Sequence, residues 1–211
     1  MPKSKHPLVA IIILNWNGKH LLRTCLSSLF KLTDYPNYKV IVVDNGSTDG
    51  SVEYVKKHFP KADILALDKN YGYAKGNNEG IKYALKKYNP DYVLLLNNDT
   101  KIIQKDWLCR AVKSASTNSI DLLSVKQMIG EQRALPRRAI NIFSYSVSYP
   151  DIDTEHTFLG GWFLLFNKKL IKEIWKYFGG VFPEEYFCYL EDSFLYWVVK
   201  ILGKKLIYSK M

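Results

Sequence analysis

Three apolar runs break off into Asn, Asp and Gly, and that repeated boundary limits the folds open to this chain. Leu8 to Leu14 runs into LNWNG, Lys39 to Asp44 into VVDNGSTDGS, and Asp91 to Leu96 into LLLNNDT. Runs so short and so uniformly apolar read as strands buried on both faces, the habit of parallel sheets covered by helices. Amphipathic stretches follow: Lys19 to Lys31, Asp49 to Phe59, Tyr73 to Tyr88 and Lys105 to Ser116, with a shorter strand at Ile64 to Leu67. Repeated β-α units of this kind predict a parallel sheet with right-handed crossovers.

Beyond Ile120 the pattern changes. Leu122 to Met128, Ile140 to Val147 and Phe158 to Phe166 read as extended, with a loop over Glu131 to Arg138. A helix is expected at Lys168 to Tyr177, then the turn-rich GGVFPEEY. A last amphipathic helix follows from Glu191 to Leu202, with Phe194, Leu195, Trp197, Val198, Ile201 and Leu202 on its buried side. The length of 211 residues fits a single domain spanning 1–211 with a sizeable core. Its two parts are about 8–120 and about 121–211, and a C-terminally truncated domain is one alternative.

With 47% hydrophobic residues the chain is globular. Cys25, Cys109 and Cys188 form no C-x-x-C pair, which reads as core thiols in a reducing compartment with no zinc framework. No apolar run approaches the roughly 20 residues of a membrane helix, and the first apolar run lacks a cleavage pattern. A cytoplasmic protein is expected, with peripheral attachment at the inner membrane face left open. The net charge of +10 allows nucleic acid, an anionic membrane or a phosphorylated small substrate. Most lysines fall on helix faces, and Arg133, Arg137 and Arg138 form the best loop-borne anion patch.

In open α/β sheets, ligands sit beyond the carboxyl ends of the strands. LNWNG, VVDNGSTDGS, DKNYGYAKGNNEG and LLLNNDT all fall there. Asp44 suits a hydrogen bond from a nucleobase N–H, although an Asx-turn through Asp44 or Asn45 explains the same residues. Asp49 suits a helix cap. The stretch Gly72 to Gly80 is neither a dinucleotide fingerprint nor a P-loop. Its glycines, with Asn77 and Asn78, let backbone approach a nucleotide sugar, or else Gly76 and Gly80 serve close helix packing. Asp99 is the sharpest candidate for a hard divalent cation, against the plainer reading of a turn and cap. Glu191 and Asp192 open the final helix, where the dipole favours carboxylates, and either could act as a general base.

The order LNWNG, VVDNGSTDGS, NYGYAKGNN, LLLNNDT, GGWFLLF and LEDSFLYW, spanning Val9 to Tyr208, resembles the family 2 glycosyltransferases, in particular their rhamnosyltransferase-like branch. The resemblance implies a GT-A fold: a mostly parallel, Rossmann-like α/β sheet flanked by helices, followed by a mixed acceptor-side half. It implies inverting transfer from a UDP- or dTDP-linked sugar to a saccharide or lipid-linked acceptor, assisted by Mn2+ or Mg2+. Carried over by position, Asp44 reads the base, Asn97 and Asp99 occupy the D-x-D metal site, and Asp192 deprotonates the acceptor, with Glu191 beside it. Asn15, Asn70, Gly72, Asn77 and Asn98 join Asp44 and Asp99 as nucleotide-sugar-binding candidates.

Three positions depart from the family pattern. Asn77 stands where many relatives carry Arg, Phe194 replaces the second Asp of E-D-x-D, and the chain ends at Met211, before the segment that brings relatives a metal-binding His. A degenerate or truncated transferase domain that binds nucleotide without transfer therefore stands as the alternative. A nucleotidyltransferase lacks its glycine-rich basic signature after strand one. A nucleic-acid module has only charge in its favour, so no nucleic-acid partner is expected. Weak peripheral contact with anionic membrane is expected from the charge alone.

Overall fold

The computed structural model describes residues 6–125, 128–129, 132–133, 139–140, 146–147 and 161–209. The first half alternates as expected: β1 (Val9–Asn15), α1 (Lys19–Leu32), β2 (Tyr38–Asp44), α2 (Ser51–His58), β3 (Ala62–Ala66), α3 (Gly72–Tyr88), β4 (Tyr92–Leu96) and α4 (Trp107–Thr117). Then come β5 (Leu122–Val125), β6 (Met128–Ile129), β7 (Gln132–Arg133), β8 (Ala139–Ile140) and β9 (Ser146–Val147). β10 (Phe163–Asn167), α5 (Lys168–Phe178), α6 (Glu191–Ile201) and β11 (Leu206–Ser209) complete the order.

Seven strands form one sheet in the order β11-β5-β10-β4-β1-β2-β3. All neighbours pair in parallel except β10, which lies antiparallel between β4 and β5. The sheet is thus the mostly parallel, helix-flanked one expected, with the mixed part in the second half. β1 shows why its sequence is so uniformly apolar. Val9, Ile11 and Ile13 face the core under α1, α2 and α4, and Ala10 and Ile12 face the core under α3, α5 and α6. Each fully buried side chain of this size contributes roughly 1.5–3 kcal/mol.

Close packing on the second face depends on glycine. A Cβ on Gly76 would lie 2.6 Å from a Leu14 methyl, and one on Gly80 would lie 2.7 Å from a Val43 methyl. These two residues let α3 settle onto β1 and β2, which is the packing reading of the glycine-rich stretch.

Several expectations need correction. β6 pairs with β7 and β8 with β9, both antiparallel, so Ile140 to Val147 is not a single strand and Gln132–Arg133 is not loop. Arg137 and Arg138 of the expected anion patch, and the start of the Phe158 to Phe166 run, lie outside the described residues. Cys25 is buried, but Cys109 and Cys188 are exposed and are not core thiols. On α6 the buried residues are Glu191, Leu195, Val198 and Val199, while Trp197 and Ile201 are exposed. The helix is apolar nearly all round, so its own periodicity cannot choose the inward face. α2 begins at Ser51, after Gly50 in the left-handed region at φ 79°. Asp49 still caps, one residue earlier than expected: its carboxylate accepts the Ser51 N–H at 3.0 Å and the Lys19 N–H at 2.9 Å, serving the starts of α2 and α1 together.

Candidate active site

The carboxyl ends of β1, β2 and β4 are tied by side chains. Asn15 Nδ2 donates to Asp44 Oδ1 at 3.4 Å and to Ser47 Oγ at 3.3 Å, while its Oδ1 accepts Asn98 Nδ2 at 2.9 Å. Asn15 and Asp44 are partners in the β1–β2 register, which is why two polar residues 29 positions apart meet at the rim. Both are buried. Asp44 Oδ2 accepts the Ser47 N–H at 2.9 Å, so the turn-closing reading of Asp44 holds geometrically. Its carboxylate nevertheless keeps acceptor capacity beyond these two bonds.

Asn45 extends the rim toward the third connection. Its Nδ2 donates to Asn70 Oδ1 at 2.8 Å and to the Gly72 carbonyl at 3.1 Å, and its Oδ1 accepts the Tyr71 N–H at 3.0 Å. Asn70 Oδ1 also accepts the Gly72 N–H at 2.9 Å. Gly72 sits at φ +81°, and a Cβ there would come 2.3 Å from the Phe187 carbonyl oxygen. The close approach that requires glycine is thus made by the chain's own Phe187, whose carbonyl accepts the Tyr73 N–H at 2.7 Å.

Asp99 stands exposed just past β4. Burial, and then the charge of Asp99, push the Cys25 thiol up to about 12, which puts this carboxylate on the side of the sheet that α1 covers. The Asn97 N–H donates to the Trp162 carbonyl at 3.0 Å, and the Asn97 carbonyl accepts the Thr100 N–H at 3.2 Å. Among the described residues no group of three or more His, Cys, Asp or Glu could hold a metal ion. The donor set at this point is one exposed carboxylate with an amide two residues away. That chemistry fits a hard cation that keeps most of its shell for water and phosphate oxygens, and it does not make a closed cage.

On the other side stand Glu191 and Asp192 at the start of α6. Burial raises Asp192 above the ordinary carboxylate range, and the Ser193 N–H, donating to its Oδ1 at 2.8 Å, pulls the other way. Burial also raises Glu191, its own N–H opposes, and the neighbouring Asp192 charge raises it further. Two carboxyls shifted upward together at one helix start make this a candidate for proton transfer.

Tyr73, which sequence reasoning passed over, connects the two sides. Its hydroxyl donates to the Gly161 carbonyl at 2.7 Å, its ring meets Phe182 edge-on at 5.8 Å, and its carbonyl accepts Asn77 Nδ2 at 3.0 Å. Burial, then the charges of Glu191 and Asp192, push its hydroxyl upward. The consecutive carbonyls of Gly161 and Trp162 therefore bind the start of α3 and the end of β4. The available signal was a single phenol directly after the left-handed Gly72. Asn78, by contrast, turns away from the rim: its Nδ2 donates to the Phe182 carbonyl at 2.8 Å, and its Oδ1 accepts the Val181 and Phe182 N–H groups.

The site residues thus gather as two groups. Asn15, Asp44 and Asn98 are joined directly, with Asn70 and Gly72 attached through Asn45, and Asn97 and Asp99 follow on the same rim. Asn77, Glu191 and Asp192 surround Tyr73. A groove of about 720 Å³ lies apart from both, between α3 and α5, lined by Lys82, Lys86, Lys172, Lys176 and Trp175.

Residues 10–175 match the model of the glycosyl transferase family 2. The O-antigen biosynthesis protein RfbC of Myxococcus xanthus is 29% identical over 127 residues, 59% of this chain and 10% of that protein. The mannosyltransferase PcManGT from Pyrobaculum calidifontis, solved with GDP-Man and Mn2+, superposes with TM-score 0.69 at 20% identity, covering 98% of this chain and 56% of that one. S. aureus TarS 1-349 in complex with UDP-GlcNAc superposes with TM-score 0.67 at 22% identity, covering 97% of this chain and 59% of that one. The chain spans less than two thirds of each of these relatives, and the likeness to the two structures is one of fold.

Proposed function

The chain belongs to glycosyl transferase family 2, and on that premise we propose that it moves a sugar from a nucleoside-diphosphate sugar to an acceptor hydroxyl with inversion. The observation that carries the reading is the rim itself: Asp44 and Asn98 both joined to the buried Asn15, two carboxyls with raised pKa at the start of α6, and Asp99 exposed past β4. Asp44 accepts an N–H of the base, and a uracil or thymine edge offers one. UDP- or dTDP-linked donors are therefore favoured here, although one structural relative holds GDP-Man and another UDP-GlcNAc.

Asp192 takes the acceptor proton. A hydroxyl is a poor nucleophile, and a carboxylate whose proton affinity is raised by burial removes its proton as the new bond forms. Attack by a hydroxyl deprotonated at Asp192, from the face of the sugar opposite the leaving diphosphate, is one in-line displacement, which inverts the anomeric centre. Asp99, with Asn97 beside it, would hold a divalent cation, Mn2+ or Mg2+, which when bound supplies charge neutralisation to the departing diphosphate. The acceptor is a saccharide or a lipid-linked one. The chain's net charge of +10 favours weak peripheral contact with an anionic membrane at the cytoplasmic face, the groove between α3 and α5 setting four lysines beside Glu79 and Glu184, and among the described residues no helix is long and apolar enough to cross a membrane.

The test is a panel of nucleotide sugars with manganese, read both for transfer and for slow donor hydrolysis. Turnover of a UDP- or dTDP-sugar is expected. Nucleotide binding without transfer or hydrolysis would replace this reading with that of a binding-only domain.

A further inference from the structure

Glu191 and Asp192 are neighbours in one helical turn with different surroundings. Asp192 is partly exposed and accepts the Ser193 N–H. Glu191 is only 8% exposed, and its Oε2 has no hydrogen-bond partner among the described residues. The titratable groups that face it are Asp192 on the same helix, Tyr73 from α3 and Cys188 from the preceding loop. None of them brings positive charge. An ionised Glu191 would be a buried carboxylate with one oxygen unsatisfied beside a second anion, an arrangement costing several times a normal hydrogen bond.

We propose that Glu191 is a neutral carboxylic acid at neutral pH, with the sealed Oε2 as its carbonyl oxygen and the O–H on its other oxygen donating to a saccharide hydroxyl bound at the start of α6, leaving Asp192 as the ionised partner. Two adjacent carboxyls in unequal surroundings divide one charge, and the more buried one keeps the proton. A carboxylic O–H needs an acceptor, and a sugar hydroxyl beside Asp192 supplies it. Glu191 keeps its proton throughout. The proton removed from the acceptor hydroxyl goes to Asp192 as that oxygen forms its bond to the sugar. The substrate part of this inference rests on the transferase reading, whereas the protonation of Glu191 does not.

Glu191→Gln keeps shape and donor, and Glu191→Ala removes both. The folded-state pKa is raised, so its contribution to stability is present below the ordinary glutamate range and lost as pH rises through the raised value. Thermal unfolding across about pH 4 to about pH 8 should therefore show the native chain losing stability relative to Glu191→Gln as pH rises. In transfer assays Glu191→Gln should keep ~10-fold more of the native rate than Glu191→Ala, because only the alanine removes the hydrogen-bond donor. Carboxyl-labelled glutamate in the native chain gives an NMR reading that needs no variant: one side chain should titrate well above the rest. No such resonance, together with an unchanged stability difference across pH, would overturn the proposal. If no donor turns over, the transferase reading fails, while the unfolding and NMR measurements still decide the protonation of Glu191. Equal loss of transfer in Glu191→Gln and Glu191→Ala would remove the donor role.

Discussion

Asn98 donates through Nδ2 to Asn15 Oδ1 at 2.9 Å, joining the end of β4 to the end of β1. The same Asn15 donates onward to Asp44 and Ser47, so one buried amide holds three strand ends in register at the rim. Gly18 packs equally tightly against this pair, since a Cβ on it would lie 2.5 Å from Asn15 Oδ1 and 2.6 Å from Asn98 Nδ2. The polar rim is built as closely as the apolar core beneath it.

Replacing Asn15 by alanine strips Asp44 and Asn98 of a buried partner and should destabilise the fold by ~1–3 kcal/mol. Asn15→Asp should do worse at neutral pH, because it sets a second carboxylate against Asp44. A like charge raises the carboxylate pKa values in the folded state, so the added penalty should shrink as pH falls through them and the pair takes up a proton. Denaturant unfolding of both variants at neutral and acid pH checks this. An Asn15→Asp penalty that grows in acid would contradict the assignment of the contact.

A uridine or thymidine diphosphate should stabilise the chain against heat more than a guanosine diphosphate does. The motive is Asp44, a buried acceptor whose Oδ2 is committed to Ser47 and whose oxygens still have lone pairs for an N–H. A ligand that binds only the native state raises the melting temperature by an amount that grows with the logarithm of its affinity. Equal or larger shifts with the purine nucleotide would remove Asp44 from base recognition.

How far the sequence disclosed this arrangement depended on distance along the chain. The elements from β1 to α4 were legible because apolar period and turn residues are local signals, and the rim followed from where strands end. The contact between Tyr73 and Gly161 spans 88 positions, and those from Asn78 to Val181 and Phe182 span 103 and 104. Nothing in the neighbourhood of Tyr73 or Asn78 marks such partners, since the topology alone brings them together. The inward face of α6 was hidden differently: Phe194, Leu195, Trp197, Val198 and Ile201 offer competing apolar stripes, and the choice is made by packing on the sheet. Glu191 and Asp192 were legible as acids at a helix start, but their unequal burial was not.

Asp192→Asn keeps the side-chain shape and removes its proton affinity. Donor nucleotide affinity should stay near that of the parent while transfer falls by ~10²-fold or more, the usual scale for a general base. Isothermal titration with nucleoside diphosphate, beside a transfer assay, separates the two effects. Transfer at the parental rate would move the base to another residue, with Glu191 first to be examined.

The exposed carboxylate of Asp99 sets a further expectation for metal binding. Among the described residues no cluster of three His, Cys, Asp or Glu surrounds it, so a hard cation gains little from the protein alone and much from diphosphate oxygens. Manganese and nucleoside diphosphate should therefore bind with positive coupling, and linkage requires that each strengthen the other by the same factor. Calorimetric titration of manganese into the chain, with and without nucleoside diphosphate, measures that factor from one side. Titration of the nucleotide with and without manganese measures it from the other. Asp99→Asn should abolish most of the coupling while leaving metal-independent nucleotide binding near its parental value, because Asp44 and Asn15 lie on other strands. Tight manganese binding to the nucleotide-free chain, retained in Asp99→Asn, would place the cation on other ligands and detach Asp99 from the diphosphate.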